Sequence, residues 1–550
     1  MNQKRISIIV YKSDEENFNI IMDKVKNFIK PKGYIIDKII AKGDNILEAY
    51  INASHKTDAY FKVFISHHVI DITNNIIPYI LYIQNNCPHI GLMGHFGFTL
   101  PLNGDITEGK NYCGKYVYVD SNNVFQAVSI ENPLMYQKVH SVDSSFFVTF
   151  GECQFDSKAG NLFAVDICCN YRTKGKEIII PMQNSTWIIT DDMPECIKFK
   201  KNSDYWQERE YLYHKNKDII SPLVSVLIPT YNSPKYFKEA LDSALAQTYS
   251  NIEIIVGDDS TNNDTETMME YYLSKYNNIK YFHHEKPLGG NGDNNINFLL
   301  NKAEGKYINL LFHDDIIYPN KITQMMEYYI HDVNDEIGIV TSVRDIINEK
   351  GEITGKAAWL AENDTIISGH DAIRKIIYTE LNYIGEYSTV LIKKKDLLID
   401  DCYSTGILEK YKDTSMGDLS TWIDILKNNR KLVFIKEALS AFRVHDDQNS
   451  YKYDIKINGI LDFLCFSTIC YYKLNIITVK EYPYIVEVWL NALVYQHQDL
   501  INNIDIKKLT EELQAKYGFY LEIYKLAKEK KYQEVFELVK DYVEMNRVDR

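Results

Sequence analysis

Residues 224–232 read VSVLIPTYN and residues 307–319 read YINLLFHDDIIYP, so twice an apolar run passes straight into polar residues. Short apolar runs of this kind, rich in branched side chains, predict buried strands of an α/β sheet. Between them, residues 251–256 predict a further strand that delivers Gly257, Asp258 and Asp259. Helices are predicted from Pro234, with Phe237, Ala240, Leu241 and Ala244 on one face, and over 265–275 and 294–303. Ser233 is placed to cap the first of them. Two carboxylate clusters, Asp258-Asp259 and Asp314-Asp315, thus fall at the carboxyl ends of strands, where open α/β sheets bind ligands. Carboxylate oxygen suits Mg²⁺ or Mn²⁺, which commonly joins one or two carboxylates to substrate phosphates. The pattern points to a nucleotide diphosphate bound with a metal.

A chain of 550 residues is long enough for roughly three or four domains. Residues 6–11 and 59–65 predict strands, and Phe18, Ile21, Met22, Val25 and Phe28 mark a helix. His67 and His68 follow the second strand, then a helix over 74–84 and a glycine-rich stretch over 91–101. This β/α alternation predicts a first unit with a parallel sheet. Residues 204–218 turn charged and predict a linker helix or arm. From Tyr453 onward the pattern is helical. The expected division is 1–203, a linker at 204–221, 222–452 and a helical region at 453–550.

The net charge of −14 argues against a nucleic-acid binder, which would show a basic face. Nine cysteines without zinc-ribbon spacing, with Cys168 and Cys169 adjacent, predict reduced, buried thiols in a cytoplasmic protein. Residues 1–10 lack a signal-peptide pattern, since the apolar run soon meets Lys12, Asp14, Glu15 and Glu16. No apolar run reaches the roughly 18–20 residues that span a bilayer. Residues 460–477, broken by Asp462 and Lys473, predict a buried helix instead. Peripheral membrane contact and the oligomeric state stay open.

Several ordered motifs carry a family resemblance: VSVLIPTYN, NIEIIVGDDS, KPLGGNGDNN, AEGKYINLLFHDDIIYP, MGDLSTW at 416–422 and FRVHDDQNS at 442–450. Over 222–450 the chain resembles the family 2 glycosyltransferases, which implies a GT-A fold, an α/β Rossmann-like nucleotide-diphospho-sugar transferase domain. The resemblance places Pro229 and Tyr231 against the nucleotide base. It makes Asp259 an acceptor from that base, with Asp258 beside it. The family's Asp-x-Asp reads Phe312-His313-Asp314 here, so its first carboxylate is missing. Asp314 then becomes the metal ligand, with Asp315 as helper. Asp418 matches the catalytic base, His445 a histidine completing the metal site, and Arg443 is placed to face the diphosphate. The competing reading of Asp418 is a helix start with Trp422 in the core.

The first unit resembles a glycosyltransferase-like domain more faintly, through YFKVFISHHVID at 60–71, IGLMGHFGFTLP at 90–101, YVYVDS at 116–121 and FAVDICCNYRTKGKEIIIP at 163–181. An acidic residue usually follows the strand where His67-His68 stand, and Asp166 sits where a later acidic motif would lie. The resemblance therefore implies a degenerate, non-catalytic GT-A-like copy.

Together these readings predict an inverting, metal-dependent hexosyltransferase-like enzyme. Its cofactor is Mn²⁺ or Mg²⁺, and a UDP-sugar is the expected donor. The acceptor is a hydroxyl of a glycan, such as a bacterial surface glycan, of a lipid-linked sugar or of a protein side chain. One alternative is a nucleotidyltransferase, although PTYNSPK lacks the glycine- and lysine- or arginine-rich loop that chemistry usually uses. The other is a non-catalytic carbohydrate-binding or assembly protein built from decayed transferase domains.

Overall fold

The computed structural model describes residues 1–13, 15–130, 133–194, 201–357, 361–379, 381–399, 402–403, 417–445, 453–496 and 511–545. Met416 and residues 446–450, which belong to two of the quoted motifs, lie outside them. Two compact units emerge, Met1–Pro222 with Tyr329–Asp335, and Leu223–Tyr328 with Glu336–Arg550.

In the first unit, strands β1 (Asn2–Tyr11), β2 (Ile35–Ala41), β3 (Ala59–Ile65), β4 (Ile90–Gly94), β5 (Tyr136–Lys138), β6 (Phe146–Phe150) and β7 (Glu177–Pro181) form one sheet in the order β2-β1-β3-β6-β4-β7-β5. β1 is parallel to β2 and β3, but β6 runs antiparallel to both β3 and β4. The sheet is therefore mixed, not parallel as the alternation predicted. The physical reason is that β6 is reached through a second, six-stranded sheet and not through a helical crossover. The glycine-rich stretch at 91–101 is part of this change: it folds into two buried strands, β4 and Phe96–Thr99.

The stretch at 204–218 forms helices Ser203–Lys215 and Lys217–Ile220. Asp166, fully buried, accepts from Lys215 Nζ at 2.8 Å and from Asn216 Nδ2 at 3.1 Å. Its role is to pin this arm to the helix Phe163–Thr173. Cys168 and Cys169 are buried free thiols.

In the second unit, the main path of a ten-stranded sheet runs β10-β9-β8-β11-β14-β13-β15-β12. Its strands are β8 (Val224–Thr230), β9 (Ile252–Asp258), β10 (Ile279–His283), β11 (Tyr307–Leu310), β12 (Ile316–Ile317), β13 (Ile337–Ile347), β14 (Leu391–Lys393) and β15 (Lys431–Arg443). β8 through β11 pair in parallel, so their carboxyl ends share one edge. β14 enters antiparallel between β11 and β13. This is the α/β, GT-A-type architecture that the motifs predicted.

β8 is buried along its whole length, as a central parallel strand must be. The helix Pro234–Leu245 buries Phe237, Ala240, Leu241 and Ala244, with Pro234 at its start. Ser233 makes no side-chain capping bond, contrary to the reading above. The helix Asp293–Lys302 packs so closely on β9 that a Cβ on Gly257 would lie 2.2 Å from Asn295 Oδ1. Asn295 Nδ2 donates to the Gly257 carbonyl at 2.8 Å, so the glycine is the price of that bond.

Helices Tyr453–Tyr472, Tyr482–Gln496, Glu511–Lys528 and Tyr532–Met545 follow. Their buried side chains, among them Phe466, Ile469, Trp489 and Val535, join the same core as Ile373, Ile376, Trp422 and Leu227. No helix among the described residues is long and apolar enough to cross a membrane.

Candidate functional site

The site is built on the shared carboxyl edge. Thr230 pairs with Asp258, and Asp258 with His283, so β8, β9 and β10 end level with one another. Beyond β8, Tyr231 is 51% exposed, while Pro229 is buried within the strand. Asn232 adopts a left-handed conformation, φ 49°, which asparagine tolerates. Its amide N–H donates to Ser260 Oγ at 2.8 Å and its Oδ1 accepts from Thr261 N at 2.9 Å, tying the two strand-end loops together.

Asp258 and Asp259 part ways here. Asp258 is fully buried; its Oδ2 accepts from Tyr281 OH at 2.7 Å and its Oδ1 from Ser260 N at 2.9 Å. With no exposed surface, Asp258 supports the loop from inside and is not placed as the ligand contact the resemblance implied. Asp259 accepts from His284 Nδ1 at 2.7 Å through Oδ1.

The second cluster lies past β11. His445 Nε2 stands 3.1 Å from Asp314 Oδ2, which brings together two residues far apart in the chain. Arg443 is the clasp. Its N–H donates to Asp315 Oδ1 at 3.1 Å and its Nε to the Asp314 carbonyl at 2.8 Å. Its guanidinium also donates to the Asn348 carbonyl at 3.2 Å and pairs with Glu239. Tyr236 lies against both the Arg443 guanidinium, 4.7 Å from the ring centre, and the His445 ring, 5.3 Å between centres. With its side chain fully buried in these contacts, Arg443 is corrected from a residue facing a diphosphate to one that positions Asp314 and His445.

Asp315 is also buried, and its carboxyl is pushed well above the ordinary range by that burial and by the neighbouring Asp314 charge. It steadies the segment from inside, beside Lys321, whose ammonium burial pulls down to about 7 while Asp315 partly offsets the loss. Lys321 Nζ donates to the Ser388 carbonyl.

Asp418 occupies the first turn of the helix Gly417–Leu426, where the helix dipole favours negative charge. Its Oδ2 accepts from Asn382 Nδ2 at 2.8 Å. Burial raises its carboxyl to about 6, and the Glu386 charge adds to the rise. Glu386 itself pairs with Arg344 Nη2 at 2.8 Å. Trp422 is in the core and donates to the Gly385 carbonyl at 2.9 Å, as the helix-start reading of Asp418 expects. The turn at 385–389 links Asp418 to Asp314: Tyr387 OH bonds Thr421 Oγ1 at 2.8 Å, and Ser388 Oγ accepts from Phe312 N at 3.0 Å. Sequence reasoning missed Asn382, Glu386 and Ser388; the one local signal was Gly385, held at φ 97°.

Asp314 Oδ2 and His445 Nε2, 3.1 Å apart, are an oxygen and a nitrogen of the kinds that would hold a cation together with phosphate oxygens and water. Among the described residues no group of three or more His, Cys, Asp or Glu side chains could hold a metal unaided.

In the first unit, the strand-end position holds His67 and His68, their rings 4.0 Å apart. A carboxylate does reach it, from Asp191. Its Oδ1 bonds His68 Nδ1 at 2.8 Å, and its Oδ2 accepts from Asn17 Nδ2 at 2.9 Å.

Residues 7–214 match the family model described as "Glycosyltransferase like family", and residues 225–385 match "Glycosyl transferase family 2". An uncharacterized glycosyltransferase of Rickettsia felis is 42% identical over 240 residues, 43% of this chain and 37% of that protein. One from Rickettsia typhi is 42% identical over 234 residues, covering 42% and 66%. One from Methanocaldococcus jannaschii is 28% identical over 305 residues, covering 54% and 97%. The chain thus spans under half the length of the Rickettsia felis relative. Among solved structures, S. aureus TarS 1–349 in complex with UDP-GlcNAc aligns with TM-score 0.40 at 17% identity, covering 59% of this chain and 92% of that one. The chain is thus similar to glycosyl transferase family 2 over residues 225–385 and to a glycosyltransferase-like family over residues 7–214.

Proposed function

We propose that residues 222–452 form a metal-dependent, inverting glycosyltransferase that moves a sugar from a nucleotide diphosphate to an acceptor hydroxyl. The pairing of Asp314 with His445 at the edge that also carries Tyr231 and Asp259 is the observation that carries this reading. Tyr231 offers an exposed ring to the base, and Asp259 an acceptor. Asp314 and His445 hold the cation that neutralises the departing diphosphate. Asp418 takes the proton of the attacking hydroxyl; a carboxylate raised to about 6 is still ionised at neutral pH and is a better base than an ordinary one. Attack from the face opposite the leaving group inverts the anomeric carbon. A screen of nucleotide-sugars with a glycan or protein acceptor tests this. Release of nucleotide diphosphate is expected with Mn²⁺ and not with chelator. Release that is indifferent to metal would overturn the metal-dependent reading.

In the same proposal the first unit, residues 1–203, is a non-catalytic copy. Both oxygens of its strand-end carboxylate, Asp191, are already bonded within the protein. Titration of the full chain with nucleotide diphosphate and Mn²⁺ should show one site per chain. A stoichiometry of two would make the first unit a second donor site.

A further inference from the structure

Asp418 stands at the start of its helix, and its carboxylate is held from two sides. Oδ1 accepts from Leu419 N, the next backbone N–H, at 2.7 Å. Oδ2 accepts from Asn382 Nδ2 at 2.8 Å, a partner 36 residues away in the chain. The terminal torsion of an aspartate is broad, so a bond at one oxygen leaves the plane of the group loosely set. A second bond at the other oxygen, from a different segment, sets it. Asn382 is itself locked. Its Oδ1 accepts from Gly385 N at 3.1 Å, and its Nδ2 also reaches the Gly385 carbonyl at 3.3 Å. Because a backbone N–H only donates, the amide oxygen must face Gly385 N, which turns the NH₂ group toward two acceptors, the Gly385 carbonyl and Asp418. The turn between them is firmly seated. Tyr383 and Ile384 are buried, and Tyr383 OH donates to the Ala372 carbonyl at 2.6 Å. A Cβ on Gly385 would lie 2.9 Å from Arg344 Nη1. The charged groups that act on Asp418 are Glu386, from this turn, and Arg344, from β13, and they pair with each other.

We infer that Asn382 is a positioning residue for Asp418: its side-chain amide, locked in one orientation by the turn it closes with Gly385, fixes the plane of the carboxylate and keeps an N–H donor aimed at it. This rests on the reading of Asp418 as the general base. A base must present a lone pair in line with the attacking hydroxyl, and a catalytic group is effective when held to within roughly 0.5 Å of that geometry. The donated N–H also favours the ionised carboxylate, which is the form that takes the proton. If Asn382 did no more than close its turn, the atom it shows to Asp418 would be immaterial.

Asn382→Asp separates the two. It keeps an oxygen for Gly385 N and turns the donor facing Asp418 into a second carboxylate oxygen. The measurement is an infrared pH titration of the full-length protein, reading the protonated-carboxyl band that Asp418→Asn removes from the wild type. Two carboxylates so close cannot both ionise, so the variant should hold a proton to a pH about one unit or more above the wild-type midpoint of about 6. The acid limb of Mn²⁺-dependent UDP release from UDP-glucose should climb with the band, while calorimetric affinity for UDP stays within a few-fold. A band that titrates as in the wild type overturns the inference and leaves Asp418 as the base. A band that moves while the acid limb stays overturns Asp418 as the base, and the inference with it. If Asn382→Asp does not fold, Asn382→Ala decides: loss of the donor should raise the midpoint, and an unchanged or lower one overturns the inference.

Discussion

Replacing Asp314 by alanine is expected to abolish Mn²⁺-dependent nucleotide binding. The described residues supply one free-facing carboxylate at this point, since Asp315 is buried and bonded to the Arg443 backbone. Removing it leaves His445 alone, and one imidazole is a poor anchor for a hard cation that prefers oxygen. Groups one step removed from a metal already cost typically about 10–100-fold in metal affinity when lost, so a direct ligand should cost on the order of 100-fold or more. Calorimetric titration with nucleotide diphosphate, with Mn²⁺ and with chelator, measures this directly. Affinity in chelator should match the wild type, and the gain on adding metal should vanish. A preserved gain would move the metal elsewhere.

Asp418→Asn should leave donor binding within a few-fold and cut single-turnover transfer by roughly 10²–10⁴-fold, the usual span of general-base catalysis. The substitution keeps the shape and removes the basicity. Asp418 also predicts a pH profile. Its carboxyl is raised to about 6 by burial and by Glu386, and only the ionised form accepts a proton. Transfer should therefore be constant above that value and fall as pH drops through about 6. The residual activity of Asp418→Asn should lack this limb. Transfer near the wild-type rate in the variant would assign the base to another residue.

The strands and their terminal carboxylates were legible because a parallel strand buried on both faces leaves a continuous apolar run with an abrupt end. Asp314 and His445 could be paired across the chain only through ordered motifs, and the structure sets them 3.1 Å apart. Asp258 and Asp259 look alike in sequence. Strand alternation turns one inward onto Tyr281 and leaves the other at the edge, and register of that kind is a tertiary fact. Arg443 looked like a phosphate binder because it stands two residues from His445; burial beside Tyr236 and Glu239 gave it partners that no local pattern encodes. The mixed sheet of the first unit was missed for a similar reason. Apart from Lys110–Val119, the strands of its second sheet are short, Phe96–Thr99 and Ser141–Val142 among them, and too brief to show a period.

The helices beyond Tyr453 have a consequence for how the second unit could diversify. Phe466, Ile469, Trp489 and Val535 close the same core that holds Trp422, four residues from Asp418. Each such side chain contributes roughly 1.5–3 kcal/mol when buried. Exposing even a few would consume a net folding stability of about 5–15 kcal/mol. The helices therefore act as the back wall of the room in which Asp418 stands, and they cannot be exchanged like a tethered module. Drift on their inner faces is felt at the helix Gly417–Leu426 as a loss of rigidity. Sequence change is freer on their outer faces, where residues such as Tyr484 and Leu521 already meet solvent.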